Sequence, residues 1–373
     1  MVMVARRASE LHPRGWARRA LYSSLLEALT YPHGVDRYVE LVRPLLLRRD
    51  VRAEVTAVAH QTHRSVTLTL RANENWRGLS AGQFVGVSVE IDGAWHTRPY
   101  SPAGSEHAPR GELELTVSTH PEGKVSRYLR EHARPGMLVG LTQARGEFVL
   151  PARRPEKVLL ISGGSGITPV MAMLRTLCDE GFAGEIGFLN YARSRQLALY
   201  RDVLDRLAAR HERVRILRGF TRGRGRAGTG RFSREHVRAV ISDQADAATF
   251  VCGPPALIDL VRAVWAQDGL EEPAVEMFTP PAAAFDTDGA RGVVRFVRSA
   301  REAANSGLPL LEQAEDAGLA PEHGCRMGIC NTCSTRKSAG TVRNIFTGAI
   351  SSAQEEQIRI CVSVPVGDVA LDL

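Results

Sequence analysis

The spacing of hydrophobic residues changes twice along the first half of the chain, and each change marks a different predicted structure. Residues 1–50 place apolar side chains three and four positions apart, as in SSLLEAL and VDRYVELVRPLLL, which predicts a helical extension. From residue 51 polar and apolar residues alternate in short runs separated by Gly and Pro. This pattern predicts an antiparallel β-barrel over residues 51–152.

From residue 153 buried strands alternate with amphipathic helices. KVLLIS, GEIGFLNYA, RVRILRG and ATFVCG are predicted strands, and each is followed by a helical pattern. Such alternation predicts a doubly wound α/β domain over residues 153–278. A stretch rich in Pro and Ala without periodicity, 279–290, is a predicted linker. Residues 291–373 then contain a strand, a helix, a cysteine-rich stretch and a final strand, which predicts a third domain of the α+β class.

Composition narrows the class of protein. With 373 residues and 44% hydrophobic content the chain is long enough for two or three domains, each with its own core. No apolar run approaches the ~20 residues of a membrane-spanning helix, and the Arg-rich N-terminus lacks the apolar core of a secretory signal. Six cysteines are too few for a disulfide scaffold of this length, so we expect a reducing, cytoplasmic compartment. The net charge of +7 comes from scattered Arg residues, without the clustered basic stripe of a nucleic-acid-binding protein.

Three cysteines lie within nine residues, and a fourth follows further along the chain. Cys325, Cys330, Cys333 and Cys361 have the spacing C-x4-C-x2-C-x27-C, which is typical of a plant-type [2Fe–2S] cluster. Two irons bridged by two sulfides need four thiolates, three from a tight loop and one from a predicted strand that begins near Cys361. A structural zinc site is the alternative, but it usually pairs two C-x2-C knuckles. A disulfide is disfavoured in a reducing compartment.

The loop that carries these cysteines has two further features. Gly324 and Gly328 permit the irregular backbone that wrapping a cluster demands. Asn331 stands where many plant-type clusters have a smaller residue, and it could shift the cluster potential through altered hydrogen bonding.

The remaining two cysteines have different predicted settings. Cys178 lies on an amphipathic helix and is a predicted core residue. Cys252 ends a predicted strand directly before Gly253-Pro254-Pro255. Ligands bind at the carboxyl edge of open α/β sheets, so we expect Cys252 to be functional.

Two short motifs in the predicted barrel could hold a ligand that carries phosphate. The segment Gly123-Lys124-Val125-Ser126 opens a helix, whose first N–H groups and dipole would face an anion. The segment Arg98-Pro99-Tyr100-Ser101 offers a guanidinium for the same group and a ring that could stack on a flat ligand. Each motif alone is weak, because a solvated Arg beside a core Tyr is also common.

A glycine-rich turn joins the first strand of the predicted α/β domain to its helix. Gly163-Gly164-Ser165-Gly166 would let the backbone approach a pyrophosphate, and Thr168 can cap the helix that follows. The full G-x-G-x-x-G pattern is absent, so a tight turn that only happens to be rich in Gly is the alternative.

Taken in order, the motifs R-x-Y-S, G-x-V-S, G-G-x-G-x-T-P, C-G-P and the four cysteines resemble one family. It is the ferredoxin–NADP reductase superfamily, with a C-terminal ferredoxin domain of the β-grasp fold, and the resemblance covers residues 51–373. It implies FAD rather than FMN, a [2Fe–2S] cluster, and an oxidoreductase that passes electrons from a nicotinamide donor through both to an external acceptor.

The same resemblance implies a set of site residues. Ser101, Cys252 and Glu276 would orient the reacting rings, and Phe278 would cover one face of the flavin. The remaining implied cofactor contacts are Arg98, Pro99, Tyr100, Gly123, Lys124, Val125 and Ser126 for FAD, and Gly163, Gly164, Gly166, Thr168, Pro169, Gly253 and Pro254 for the dinucleotide. For Phe278, a core aromatic before a linker is the alternative.

Basic residues where the adenosine ribose should lie favour NADPH over NADH. Arg193 follows the second predicted strand, and Thr221-Arg222 follows the third and matches a Ser-Arg pair that holds the 2′-phosphate in NADPH-using relatives. Neither strand ends on an acidic residue that would bind a free 2′-hydroxyl. NADH remains the alternative, because Arg is frequent throughout the chain.

The external acceptor is the least constrained part of the prediction. Fused reductases of this order serve oxygenases, hydroxylases and desaturases, and residues 1–50 resemble the extension of reductases that partner membrane acyl-CoA desaturases. We therefore expect a desaturase or oxygenase to dock near Arg326, Met327 and Asn331, with peripheral association at the inner membrane surface through that partner. The alternatives are an extension that only packs on the barrel, a reductase of an aromatic-ring or phenylacetyl-type hydroxylase, and a redox sensor without turnover.

Overall fold

The computed structural model describes residues 50–120, 123–222, 230–278, 289–323, 328 and 331–373. The predicted helices of the N-terminal extension lie outside these residues, as do most of the predicted linker, Cys325, Cys330, Arg326 and Met327. The described chain forms three sheets in sequence order, which confirms the predicted class of a β-barrel, a doubly wound domain and an α+β domain. In that part of the chain no helix is long and apolar enough to cross a membrane.

The first sheet has six antiparallel strands. They are β1 (Val51–Thr62), β2 (Ser65–Ala72), β3 (Val85–Ile91), β4 (Ala94–Tyr100), β5 (Glu112–Ser118) and β6 (Leu138–Leu141), in the order β4-β3-β6-β1-β2-β5. The end strands β4 and β5 come into contact, so the sheet curls around a core of alternate apolar residues. Asp92 and Gly93 both have positive φ and form the tight β3–β4 turn, as the D-G pair predicts. Helix α1 (Lys124–His132) lies between β5 and β6 in the sequence, and its residues Val125 and Leu129 are buried.

The second sheet has five parallel strands with helices between them. The strands are β7 (Lys157–Gly163), β8 (Glu185–Ala192), β9 (Val214–Phe220), β10 (Ala247–Cys252) and β11 (Ala274–Glu276), in the order β11-β10-β7-β8-β9. The helices are α2 (Ile167–Asp179), α3 (Arg201–Arg210), α4 (Arg234–Val240) and α5 (Pro255–Gln267). Because parallel strands bury both faces, β7 is a continuous apolar run with almost every residue buried.

The third sheet contains a strand that the apolar pattern does not predict. Its strands are β12 (Val293–Phe296), β13 (Arg301–Ala304), β14 (Ser334–Asn344), β15 (Ile350–Ser351), β16 (Glu356–Arg359) and β17 (Ser363–Leu371), with helix α6 (Leu310–Asp316). The long central β14, STRKSAGTVRN, is mostly polar because only Lys337 and Val342 are buried along it. Pairing with β17, β15 and β16 holds it in the sheet despite this composition.

The barrel and the α/β domain share a hydrophobic core. Ala81, Ala103 and Phe148 of the barrel region are buried in the same cluster as residues of β7 and α2. Burial of apolar surface across the boundary stabilises one fixed arrangement of the two domains.

Candidate functional site

One cavity of about 790 Å³ is lined by residues of all three sheets' domains. The barrel contributes Tyr100 and Ser101, and the α/β domain contributes Glu276 and Phe278. Phe346, in the loop after β14, faces the same space from the third domain. Residues separated by more than 200 positions in the sequence therefore share one wall of one site.

A cationic group surrounds the start of α1, beside the barrel. Burial, followed by the charges of Lys124 and Arg98, lowers the pKa of His96, while Asp92 acts in the opposite direction. His96 Nε2 is buried and has no hydrogen-bond partner among the residues that the structure describes. A Cβ on Gly123 would lie 2.4 Å from Ser126 Oγ, so glycine keeps this helix start narrow. Positive charge, a helix N-terminus and an unsatisfied imidazole fit the phosphates of FAD.

The individual predicted flavin contacts differ in what they can offer. Val125 is buried in the barrel core, so its side chain is not available to a ligand. Ser126 Oγ donates to the carbonyl of Gly123 at 3.1 Å, and Lys124 Nζ lies 3.4 Å from Asp92 Oδ2. Pro99, Tyr100 and Ser101 all line the cavity. The structure thus brings both barrel motifs to one side of the barrel.

Ser101 and Glu276 face the cavity as unsatisfied polar groups. Ser101 Oγ and Glu276 Oε2 are buried and have no hydrogen-bond partner within the described ranges. Burial raises the pKa of Glu276 to about 8, and the nearby Ser101 hydroxyl acts in the opposite direction. The Glu276 carboxyl is therefore largely protonated at neutral pH and can donate a hydrogen bond to a ligand in the cavity.

Cys252 lies next to Glu276 but behind the cavity wall. The two residues are register partners on β10 and β11, and Cys252 is completely buried and does not line the cavity. Burial raises the pKa of the Cys252 thiol, and the Glu276 carboxyl raises it further when it is ionised, so the thiol stays neutral. Burial also raises the pKa of Cys178 to about 11, in agreement with its predicted place in a core.

The glycine-rich turn after β7 packs tightly against the turn after β10. A Cβ on Gly166 would lie 2.3 Å from the Cys252 carbonyl oxygen, and one on Gly163 would lie 2.7 Å from Pro254 Cδ. Gly164 has a φ of +59° and nothing near its Cβ position, so it is the glycine exposed at the sheet edge. Gly163 and Gly166 thus serve the contact between two turns, a role that the motif alone does not reveal.

The predicted cap on α2 is wrong. Helix α2 has Gly166 at its N-cap and no side-chain cap, and Thr168 Oγ1 donates to the Ser165 carbonyl at 3.2 Å. Thr168 lies inside the first turn, where its hydroxyl reaches a preceding carbonyl instead of a free N–H. Thr168 and Ser165 line the cavity, and Pro169 is buried in the helix.

The predicted ribose residues lie together at the carboxyl ends of β8 and β9. The N–H of Thr221 donates to the Ala192 carbonyl, and the N–H of Arg222 donates to the Arg193 carbonyl, both at 3.0 Å. These bonds extend the strand pairing and set Arg193 and Arg222 side by side, and both side chains are exposed.

Two of the four predicted cluster ligands can be placed. Cys333 and Cys361 are buried with their Sγ atoms 3.1 Å apart, well beyond a disulfide bond of about 2.05 Å. The N–H of Gly328 donates to Cys361 Sγ at 3.1 Å, as expected for a thiolate at a cluster. Asn331 has a φ of +59°, a conformation that Asn tolerates better than most residues. Two buried cysteine sulfurs close together, one of them with a backbone N–H aimed at it, fit a [2Fe–2S] cluster.

The sequence predicts that a strand begins at Cys361, but in the structure Cys361 precedes the strand. It lies in the three-residue turn between β16 and β17. The turn directs its Sγ towards Gly328, and the N–H of Ile345 pins the next residue by donating to the Val362 carbonyl at 2.9 Å.

Sequence reasoning misses the residues through which the third domain reaches the cavity. Asn344 Oδ1 accepts from the N–H groups of Phe346 and Thr347, at 2.9 and 3.1 Å, and this turn presents Phe346 to the cavity. Arg359 also lines the cavity and donates to the Gly328 carbonyl. An Asn followed by turn residues is the sole local signal, and it indicates a turn rather than a site.

Three family models match the chain in the order of its sheets. Residues 52–150 match the oxidoreductase FAD-binding domain, 160–263 the oxidoreductase NAD-binding domain, and 297–366 the 2Fe-2S iron-sulfur cluster binding domain. An NADPH oxidoreductase of Mycobacterium tuberculosis is 33% identical over 98% of this chain and 94% of its own length. The chain belongs to the ferredoxin–NADP reductase superfamily. It is a reductase of the type that carries a fused [2Fe–2S] domain.

A monooxygenase reductase subunit and a solved dioxygenase reductase are also similar to this chain. The glycine betaine monooxygenase reductase subunit of Chromohalobacter salexigens is 29% identical over 78% of the chain and 86% of its own length. The structure of phthalate dioxygenase reductase covers 86% of the chain and 97% of its own, with a TM-score of 0.61 and 22% identity, which shows a shared fold. The reductase is thus an oxidoreductase with FAD, a nicotinamide donor and a [2Fe–2S] cluster as its cofactors.

Proposed function

We propose that this reductase carries electrons from NADPH, through FAD and the [2Fe–2S] cluster, to a separate oxygen-activating enzyme. The observation that supports it most directly is the single cavity lined by Ser101, Glu276 and Phe346 from the three domains. FAD can accept two electrons together and a [2Fe–2S] cluster one at a time, which suits this order of domains. A redox sensor would have no need of the nicotinamide domain.

The side chains have distinct proposed tasks. Arg98 and the start of α1 hold the flavin phosphates, while Tyr100 and Phe278 pack against the flavin ring. Ser101 and the protonated Glu276 donate hydrogen bonds that orient the nicotinamide and the flavin. Neutral, fully buried Cys252 supports Glu276 from behind and fixes the shape of the wall.

The choice of NADPH rests on Arg193 and Arg222 at the sheet edge. Two exposed guanidinium groups side by side suit a 2′-phosphate, and each can bind it bidentately. Arg222→Ala should raise the KM for NADPH by about ten- to a hundredfold, since a charged hydrogen bond contributes about 1.5–3 kcal/mol, and leave the KM for NADH unchanged. Equal effects on both donors, or a wild-type preference for NADH, would contradict this assignment.

Our first candidate for the acceptor is a membrane-bound fatty-acid or acyl-CoA desaturase, which would bring the reductase to the membrane surface. The proposal rests on the character of residues 1–50. A match over 98% of the chain leaves about 2% of it uncovered, so the match to the mycobacterial relative includes most of that extension. The monooxygenase reductases match about 78% of the chain.

An oxygenase is the second candidate, and the names of several relatives favour it. They include the stachydrine N-demethylase reductase subunit of Rhizobium meliloti and a 3-ketosteroid-9-alpha-monooxygenase reductase of Mycobacterium tuberculosis. Reconstitution separates the two candidates. The reductase, with and without residues 1–50, is mixed with a purified desaturase in vesicles or with a purified oxygenase. Desaturase turnover that depends on the extension supports the first candidate, and oxygenase turnover indifferent to it supports the second.

Anaerobic addition of NADPH tests the electron path before any acceptor is known. We expect the flavin absorbance to bleach first and the cluster to give a reduced-state EPR signal afterwards. A protein that stays oxidised would contradict the proposed function.

A further inference from the structure

A closed ring of hydrogen bonds joins the α/β domain to the barrel at Tyr200. The N–H of Tyr200 donates to Gln61 Oε1 at 2.8 Å, and Gln61 Nε2 donates to Thr67 Oγ1 at 2.6 Å. Thr67 Oγ1 lies 2.6 Å from Thr116 Oγ1, which in turn bonds to the Tyr200 hydroxyl. The ring therefore begins and ends on one residue of the α/β domain and passes through three side chains of the barrel.

Tyr200 is held in this place at a conformational cost. It is the N-cap of α3 with a φ of 58° and ψ of 21°, a left-handed conformation that is unfavourable for an aromatic residue. Its side chain is buried, and the Arg175 guanidinium lies over its ring at 5.3 Å from the centroid. A strained backbone kept by its surroundings often marks a functional constraint.

The ring is continuous with the wall of the cavity. Thr116 lines the cavity itself. Arg175, which covers Tyr200, donates to the Ala103 carbonyl and to Glu114 Oε1, both at 2.8 Å. Ala103 lies two residues after Ser101, and Arg175 is on α2, the helix that starts at the glycine-rich turn. Arg175, which packs on Tyr200, thus ties the helix that follows the glycine-rich turn to the segment just after Ser101.

We infer that Tyr200 is a positioning residue, which fixes the nicotinamide domain against the flavin barrel and so sets the distance over which the nicotinamide reduces the flavin. The rate of hydride transfer depends steeply on the distance between donor and acceptor, and a misplacement of about 1 Å can lower it about a hundredfold. The inference concerns the first electron-transfer step alone and is independent of the identity of the acceptor.

The test uses Tyr200→Phe, which keeps the ring and removes the hydroxyl. In the FAD- and cluster-loaded protein we expect flavin reduction by saturating NADPH, followed by stopped flow, to slow by about ten- to about a hundredfold. The primary deuterium isotope effect should become more dependent on temperature, because the donor–acceptor distance is sampled more broadly. Without any nicotinamide, hydrogen exchange at the Tyr200 amide should become faster. Electron transfer from photoreduced flavin to the cluster should keep its wild-type rate.

Two further variants complete the test. Gln61→Met cuts the ring at its other end and should reproduce the slower flavin reduction. Tyr191→Phe is the matched control, because Tyr191 is also a buried Tyr but bonds to His236 Nδ1 at 2.9 Å within the α/β domain. Wild-type rates and isotope effects in Tyr200→Phe would overturn the inference. Equal losses in Tyr191→Phe would also overturn it, because the effect would then be general destabilisation.

Discussion

The buried carboxyl of Glu276 makes the stability of the protein depend on pH in a direction opposite to that of most carboxylates. Burial raises its pKa from 4.5 to about 8. Below pH 4.5 both folded and unfolded protein carry the proton, so the buried carboxyl does not lower the free energy of unfolding. Between pH 4.5 and 8 only the unfolded chain releases it, and the free energy of unfolding falls as pH rises. Above pH 8 both states have lost the proton, so the loss of unfolding free energy no longer changes with pH.

The expected size follows from the shift. Each pKa unit corresponds to about 1.4 kcal/mol, so the full loss of unfolding free energy is about 5 kcal/mol, and about 3 kcal/mol of it falls between pH 5.5 and 8.5. Glu276→Gln keeps the shape of the side chain and abolishes the titration. We therefore expect the variant to be more stable than wild type by about 1 kcal/mol at pH 5.5 and by about 4–5 kcal/mol at pH 8.5.

Urea unfolding at half-unit pH steps, without nicotinamide, measures this difference. Glu272→Gln is the matched control, because Glu272 lines the same cavity but its side chain is 68% exposed in an ion pair with Arg262. A difference between wild type and Glu276→Gln that stays constant from pH 5.5 to 8.5 would refute the reasoning. So would a difference of the opposite sign.

Three further predictions concern the turns and the third domain. Gly166→Ala places a Cβ 2.3 Å from a carbonyl oxygen and should lower stability by about 1–3 kcal/mol, seen as a lower melting temperature. Gly164→Ala meets no atom and bears only the cost of its positive φ, about 1 kcal/mol, so equal losses in the two would contradict the packing argument. Phe346→Ala opens the cavity wall and should slow electron transfer from flavin to cluster by about tenfold, while flavin reduction by NADPH is unchanged. Stopped flow separates the two steps, and a loss confined to flavin reduction would count against this role of Phe346. Cys361→Ser should lower the iron content and abolish the cluster EPR signal with FAD retained, and a full complement of iron would exclude Cys361 as a ligand.

The sequence by itself determines the class of each domain and the cofactor that each one binds. Periods of two and of 3.6 residues follow directly from strand and helix geometry, so the barrel and the doubly wound domain are legible without coordinates. The C-x4-C-x2-C-x27-C spacing indicates four cluster ligands, and the two glycine-containing helix starts indicate anion sites, because each pattern can be recognised from residue types and their spacing along the chain.

Only the tertiary structure decides how these parts act on one another. The polar strand β14 exists because its neighbours pair with it, and Cys361 lies in a turn, where its Sγ accepts a hydrogen bond from the N–H of Gly328. Phe346 and Ser101 share a cavity, and Tyr200 bonds to Gln61 across 139 positions of sequence. Such contacts join residues whose own local patterns carry no trace of the partner. They depend on how three domains pack against one another, although the class of each domain can be predicted from its own sequence. Packing is a property of whole surfaces rather than of short motifs.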